Sequence, residues 1–395
     1  MTRPPVLIAL GAALLACAPE SAPTEAERAP ELATTTPLTF VQVNVGGGHS
    51  CGVTSTNRAY CWGSNFDGQL GIGSTTAQPF PKAVAGAHSF KSVTLSAFSS
   101  CGLTTDNKAW CWGSNNNGEI GDGGDGNRLK PAAVAGGYTF RQLRNGGGTV
   151  CGVTFADQTV CWGNNQYGQL GVDPLQLPLS RVPVVVPTGG IVFRQVLTGN
   201  GHTCALTAAK VAYCWGLNDN GQVGDGTSGN FRISPTPVTG GLTFNQLSTG
   251  NGSSCGVTPL HVAYCWGVNR SGGLGDGTRT RRLVPTKVAG GHSFVAVAAG
   301  WFYSCGTDTD SKAFCWGDNT YGQIGDGTFG SSNYRLVPKA VSGGLVWSAL
   351  SAGSDHTCGV IKAQRAYCWG DNGSGQIGDG THSRRPRPTA VAGPS

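Results

Sequence analysis

The chain has 395 residues, of which 64 are glycine and only 12% are charged, a balance that favours many short strands joined by glycine turns over long helices. Its formal net charge of +6, with no basic run, gives no footprint for nucleic acid, so no nucleic-acid partner is expected. Fifteen cysteines argue against a reducing compartment, where disulfides lose their stabilising use.

The N-terminus reads as an export signal. Arg3 supplies a short positive region, and Val6 to Leu15 form an apolar stretch too short to cross a bilayer as a helix. Leu14-Leu15-Ala16-Cys17 resembles the lipobox of bacterial lipoproteins, which implies that residues 1–16 are a signal peptide and that Cys17 becomes the lipid-modified first residue. Two or three acyl chains anchor a protein stably. Residues 17–36 then form the lipidated Cys and a disordered tether rich in Pro, Ala, Thr and Glu. Ala18 in place of an aspartate implies an outer-membrane or surface destination, with membrane attachment through lipid only.

From residue 37 to 395 one module of about 50 residues is copied seven times. Cys-Trp-Gly recurs at Cys61, Cys111, Cys161, Cys214, Cys265, Cys315 and Cys368. Ten positions before each stands a partner: Cys51, Cys101, Cys151, Cys204, Cys255, Cys305 and Cys358. If Cys51 opposes Cys61 in a hairpin, Gly52 faces Tyr60, Val53 faces Ala59, and Ser55 to Asn57 form the turn. Such opposed residues lie within disulfide reach, so each unit holds its own bridge and Cys17 alone is left over. Zinc fits poorly, because the pairs are ten apart and only His49, His202 and His356 precede a cysteine closely. No metal or cofactor is expected. Short strands at this period, in seven copies, predict an all-β, seven-bladed propeller.

A residue repeated in every unit serves a need that every unit has. The tryptophans after the second cysteine (Trp62, Trp112, Trp162, Trp215, Trp266, Trp316 and Trp369) are therefore expected to pack between blades. Asn65 and its equivalents are expected to fix turns. Five units carry an aspartate in Gly-Asp-Gly, at Asp122, Asp225, Asp276, Asp326 and Asp379, and the same five carry Arg128, Arg232, Arg282, Arg335 and Arg385. Units one and three lack the pattern, so the acids and arginines are expected to brace each loop together.

The pattern Trp-Gly-x-Asn-x-x-Gly-Gln-Leu-Gly, preceded by Gly-x-x-His-Ser/Thr-Cys-Gly-Val-Thr, resembles the repeat of the regulator-of-chromosome-condensation family over residues 39–393. The resemblance implies a seven-bladed propeller of four-stranded blades. It implies less about activity: the family's founder is a nuclear guanine-nucleotide exchange factor, and a secreted bacterial relative inhibits β-lactamase, whereas an exported lipoprotein would not meet a cytosolic GTPase.

No nucleophile elbow, phosphate loop or paired carboxylate with histidine is visible, so a non-catalytic binding module is expected and no catalytic residue is assigned. A hydrolase or lyase of envelope polysaccharide is the alternative class, with nucleotide exchange a remote one. Binding is expected at exposed departures from the repeat. Trp301, Phe302 and Tyr303 stand at a turn where other units have Gly, Asn, Ser or His, and Phe98 departs similarly in unit two. Arg279 and Arg281, beside Arg282 and near Arg384, Arg385 and Arg387, form a basic loop that would steer an anionic glycan. The expected ligand is thus a protein or an anionic glycan.

Overall fold

The computed structural model describes Met1, Thr2 and residues 38–394. The lipobox, Cys17 and the tether fall in residues 3–37, outside the described residues. In the first unit, alternating apolar residues form β1 (Phe40–Val45), β2 (His49–Thr54), β3 (Ala59–Gly63) and β4 (Gln78–Ala83). They pair in sequence order as one antiparallel sheet. Six further sheets repeat this arrangement, ending with the blade Trp347–Ala390. The all-β, seven-bladed propeller read from the sequence is the architecture found, and every regular element among the described residues is a strand.

Register follows the cysteines. Cys51 opposes Cys61, Gly52 opposes Tyr60 and Val53 opposes Ala59, and all seven hairpins bring their cysteine Cα atoms to 4.0–4.1 Å and bridge them. A closed loop this short stabilises by about 3 kcal/mol or somewhat less. The glycine after the first cysteine is required by packing, since a Cβ on Gly52 would sit 2.5 Å from the ring of Phe40. Blade four has Ala205 at this place, and there the Phe193 ring lies at 27° to Trp215, against 40–54° for the other Phe–Trp pairs. The added methyl turns the ring instead of breaking the strand.

The blades are joined by the repeated tryptophans. Each is fully buried and donates from Nε1 to a backbone carbonyl of the preceding blade, as Trp112 does to Gln69 at 2.9 Å and Trp215 to Gln169 at 3.0 Å. Ring closure uses the same bond, from Trp62 to the carbonyl of Gln376 at 2.9 Å. The packing role expected of these residues is what the structure shows. Asn65 likewise accepts from the Leu70 backbone and donates to the carbonyls of Ser74 and Thr76, tying the loop between β3 and β4 to its base.

Candidate functional site

The antiparallel order gives the ring two faces. The lower face carries the turns between second and third strands and the linkers between blades. The upper face carries the turns between first and second strands and the long loops between third and fourth. Around the axis the upper turns enclose a depression of about 360 Å³, lined from every blade. Its wall is close-packed backbone: a Cβ on Gly46 would lie 2.2 Å from the Ser96 carbonyl, and one on Gly146 2.2 Å from the Thr198 carbonyl. The side chains that vary are therefore the next two in each turn.

At those two positions blade six places Trp301 and Phe302, and blade two places Ala97 and Phe98. Phe98 is 60% exposed, Phe302 41% and Trp301 39%, which is unusual for aromatics that nothing in the frame demands. Phe98 and Trp301 line the depression. Phe302, edge-on to Trp301 with ring centroids 6.4 Å apart, lines a second groove of about 360 Å³ that runs outward past Tyr167, Leu217 and Arg270. Asn200 and Asn251 border both cavities, so the two form one continuous surface.

Tyr303 does not belong to this surface. It is 1% exposed because it occupies the register position of His49, His202 and His356, which points between blades. Its hydroxyl donates to the His356 carbonyl at 2.6 Å and accepts from the Gly353 amide at 3.0 Å. Three adjacent aromatics in the sequence thus divide into two that face solvent and one that holds the seam between blades six and seven.

The three histidines at that register position are buried and neutral. His356 Nε2 meets Ser50 Oγ at 2.8 Å while that hydroxyl donates to the Gln376 carbonyl, which makes Nε2 the protonated nitrogen. His49 with Ser100 and His202 with Ser254 repeat the arrangement. Among the described residues the Nδ1 atoms of His49 and His356 have no acceptor to receive a second proton, while the Asn200 backbone offers His202 a partner that offsets part of its burial. Burial pushes His49 and His356 down to about 3 and His202 to about 4, with the neighbouring His356 also acting on His49.

Charge on the upper face is largely committed. Asp276 Oδ2 accepts from Arg282 Nε at 2.6 Å, and Oδ1 accepts from Thr278 and Asn269. All five expected Asp–Arg pairs form. Burial pushes Asp225, Asp276, Asp326 and Asp379 upward, but the hydroxyl, backbone and guanidinium donors outweigh it and hold them below the usual carboxylate range. Blade three, whose arginine is out of step, sends Arg181 instead to Asp125 of the preceding blade. Arg279 and Arg281 are exposed and, among the described residues, bond only to carbonyls, of Arg270 and Asp219, with Arg279 also over the Tyr334 ring. Opposite in sign, Asp355 is pushed up to about 6 by burial and by the carboxylates of Asp371 and Asp318. The described residues contain no cluster of three His, Cys, Asp or Glu side chains arranged to hold a metal ion.

Sequence reading passed over Phe66, which is 78% exposed in an upper loop. The other blades have Asn116, Gln166, Asp219, Arg270, Thr320 and Gly373 there, so the rule that singles out Trp301 also finds Phe66.

Four-stranded blades in a seven-membered ring, stapled hairpins and an inter-blade tryptophan define a repeat propeller. Profiles of the "Regulator of chromosome condensation (RCC1) repeat" match residues 40–69, 90–119, 193–222, 294–323 and 347–376, and residues 57–103, 161–206, 262–306 and 310–360. The chain belongs to that repeat family. It is 27% identical over 204 residues to the probable E3 ubiquitin-protein ligase HERC4 of Homo sapiens, covering 50% of this chain and 19% of that protein. To the ultraviolet-B receptor UVR8 of Arabidopsis thaliana it is 28% identical over 220 residues, covering 52% and 47%. The chain therefore spans less than half the length of either curated relative. Among solved structures, human WBSCR16 superposes with a TM-score of 0.77 at 21% identity, covering 85% of this chain and 94% of the other. Yeast RCC1 (Prp20), bound to Kap60, gives 0.75 at 19% identity, covering 94% and 91%. At such identities the likeness shows the fold alone.

Proposed function

We propose that this protein is an exported, lipid-anchored cell-envelope propeller whose upper face is a non-catalytic protein-binding surface. Seven intra-blade disulfides support an oxidising compartment, and the lipobox at Cys17 supplies the anchor. The observation that carries the binding reading is the placement of Phe98 and Phe302 at one register position of two different blades, both exposed, with Phe98 and Trp301 lining the axial depression and Phe302 lining the adjoining groove. Aromatics with two rotatable bonds next to a concavity are the usual anchors of an interface. A solved yeast relative, Prp20p, is described by its binding to Gsp1p and histones, and a protein partner for this propeller is in keeping with that use of the fold.

The test is affinity capture from the cell envelope with the tagged chain and with a variant carrying Phe98→Ser, Trp301→Ser and Phe302→Gly, leaving Tyr303 in place. The variant should melt within a few degrees of the parent and lose its partner by at least about tenfold, as removal of interface anchors costs about 2 kcal/mol or more. A folded variant that still captures the same partner overturns the reading. In the second reading an anionic glycan binds along Arg279 and Arg281, favoured by the absence of carboxylate partners for these exposed cations among the described residues. Arg279→Ser with Arg281→Ser should then abolish binding of an acidic oligosaccharide that the aromatic variant retains.

A further inference from the structure

The first strand of each blade presents one wall to the axis. The residue opposite each hairpin's first cysteine is Asn44, Thr94, Leu197, Ser248, Ala298 or Ser351 in six blades, and Arg144 in the third. These strands enclose an axial channel of about 280 Å³ beneath the depression, continuous with it at Asn145 and Thr198 among others. Among the described residues Arg144 is the one charged side chain lining it.

Eight other arginines of the propeller pair with aspartates. Arg144 has no carboxylate within 4 Å among the described residues, and its hydrogen bond runs only from Nη1 to the carbonyl of its neighbour Leu143 at 2.9 Å. Burial pulls the guanidinium below the usual arginine range, yet arginine stays protonated in proteins. Half-buried in the channel wall, this charge keeps four N–H donors that meet no protein acceptor among the described residues, and an anion in the channel would pair with them. In the same channel wall, Asn145 Oδ1, Gln195 Oε1 and Thr198 Oγ1 are buried without a protein partner among the described residues. Amide oxygens accept hydroxyl protons and take no anion, so the ligand they suit carries hydroxyls as well as a charge.

We propose that the axial channel is a binding site for a small hydroxylated carboxylate of sugar-acid size, its carboxylate on the Arg144 guanidinium and its hydroxyls on the Asn145 and Gln195 side chains. The site lies below the upper face and stands whether or not that face captures a protein. Calorimetric titration of the full chain with glucuronate, glucose and inorganic phosphate tests it. Glucuronate should bind saturably and glucose should not. Arg144→Gln should weaken glucuronate at least tenfold, while Arg58→Gln, on an exposed lower turn, should leave it unchanged. Equal binding of glucose, binding of phosphate alone, no binding of any probe, or retention by Arg144→Gln each overturns the proposal. Should Arg144→Gln fail to fold, Arg144→Lys keeps the charge without the planar fork, and unchanged affinity in that variant is equally fatal.

Discussion

The upper and lower turns of the blades are connections in the same sheets, yet they use sequence variation in opposite ways. Each lower turn ends in one left-handed residue, at Asn57, Asn107, Asp157, Lys210, His261, Ser311 and Gln364, with φ between 57° and 67°. Side chains there differ widely, and Phe155 and Leu260 are exposed, but the backbone never changes. The upper turns also vary, and there the variable side chains ring a concavity. Variation over a fixed backbone means tolerance below. The same variation at the mouth of a cavity means a surface that can be specific.

The sharpest way to break this comparison is to set a frame tryptophan against a rim tryptophan. Trp62→Ala removes a fully buried ring and its bond across the closure and should destabilise by about 3–5 kcal/mol. Trp301→Ala, on the rim, should cost about 0.5 kcal/mol or less. Chemical denaturation of the two variants measures both, and equal losses would mean that the rim is part of the frame.

Acid should act on the frame first. An unfolded histidine takes up its proton near 6.5, whereas His49 and His356 wait until about 3 and His202 until about 4. The unfolded chain therefore binds more protons in that window, and stability is full above about 6.5 and falls as pH drops through it. Each histidine removes up to about 1.4 kcal/mol per pH unit. The braced aspartates, with lowered values of their own, add to the loss in more acid solution. Thermal midpoints at pH 7.5 and 4.5 should differ clearly; coincident midpoints would show that the histidines are not sequestered.

Two smaller effects sharpen the boundary. Tyr303→Phe removes the hydroxyl's bonds to the Gly353 amide and the His356 carbonyl, which keep only their bond to each other, and should cost about 0.5–1.5 kcal/mol, while Phe302→Ser beside it should be near neutral. Asp276→Ala and Arg282→Ala should be non-additive in a double-mutant cycle, because either change breaks the same bond. The coupling should be about 1 kcal/mol or less, since the arginine side chain is one-third exposed. Strict additivity would leave each residue acting alone on its loop.

The ring, the cysteine register, the packing tryptophans and the Asp–Arg braces were all legible in the sequence, because each is a local pattern stated seven times or missing in step. Tyr303 was misgrouped with its neighbours for a physical reason. A run of three aromatics does not say which one points inward, and only alignment with His49 and His356 reveals that the third position lies between blades. Arg144 was invisible for a different reason. Its isolation depends on six other strands, spread over some 300 residues, turning uncharged faces to the same axis.

Ring closure also sets an order of events in time. Each disulfide links residues ten apart, so a hairpin can be stapled as soon as its two strands pair, whereas the bond from Trp62 to Gln376 spans 314 residues. Contacts so distant form late, because the chain entropy between them must be lost before they reward it. Until the seventh blade arrives, the first one keeps its tryptophan face open, and the finished blades wait as a stapled but unclosed arc whose two ends match each other and also match the ends of another copy.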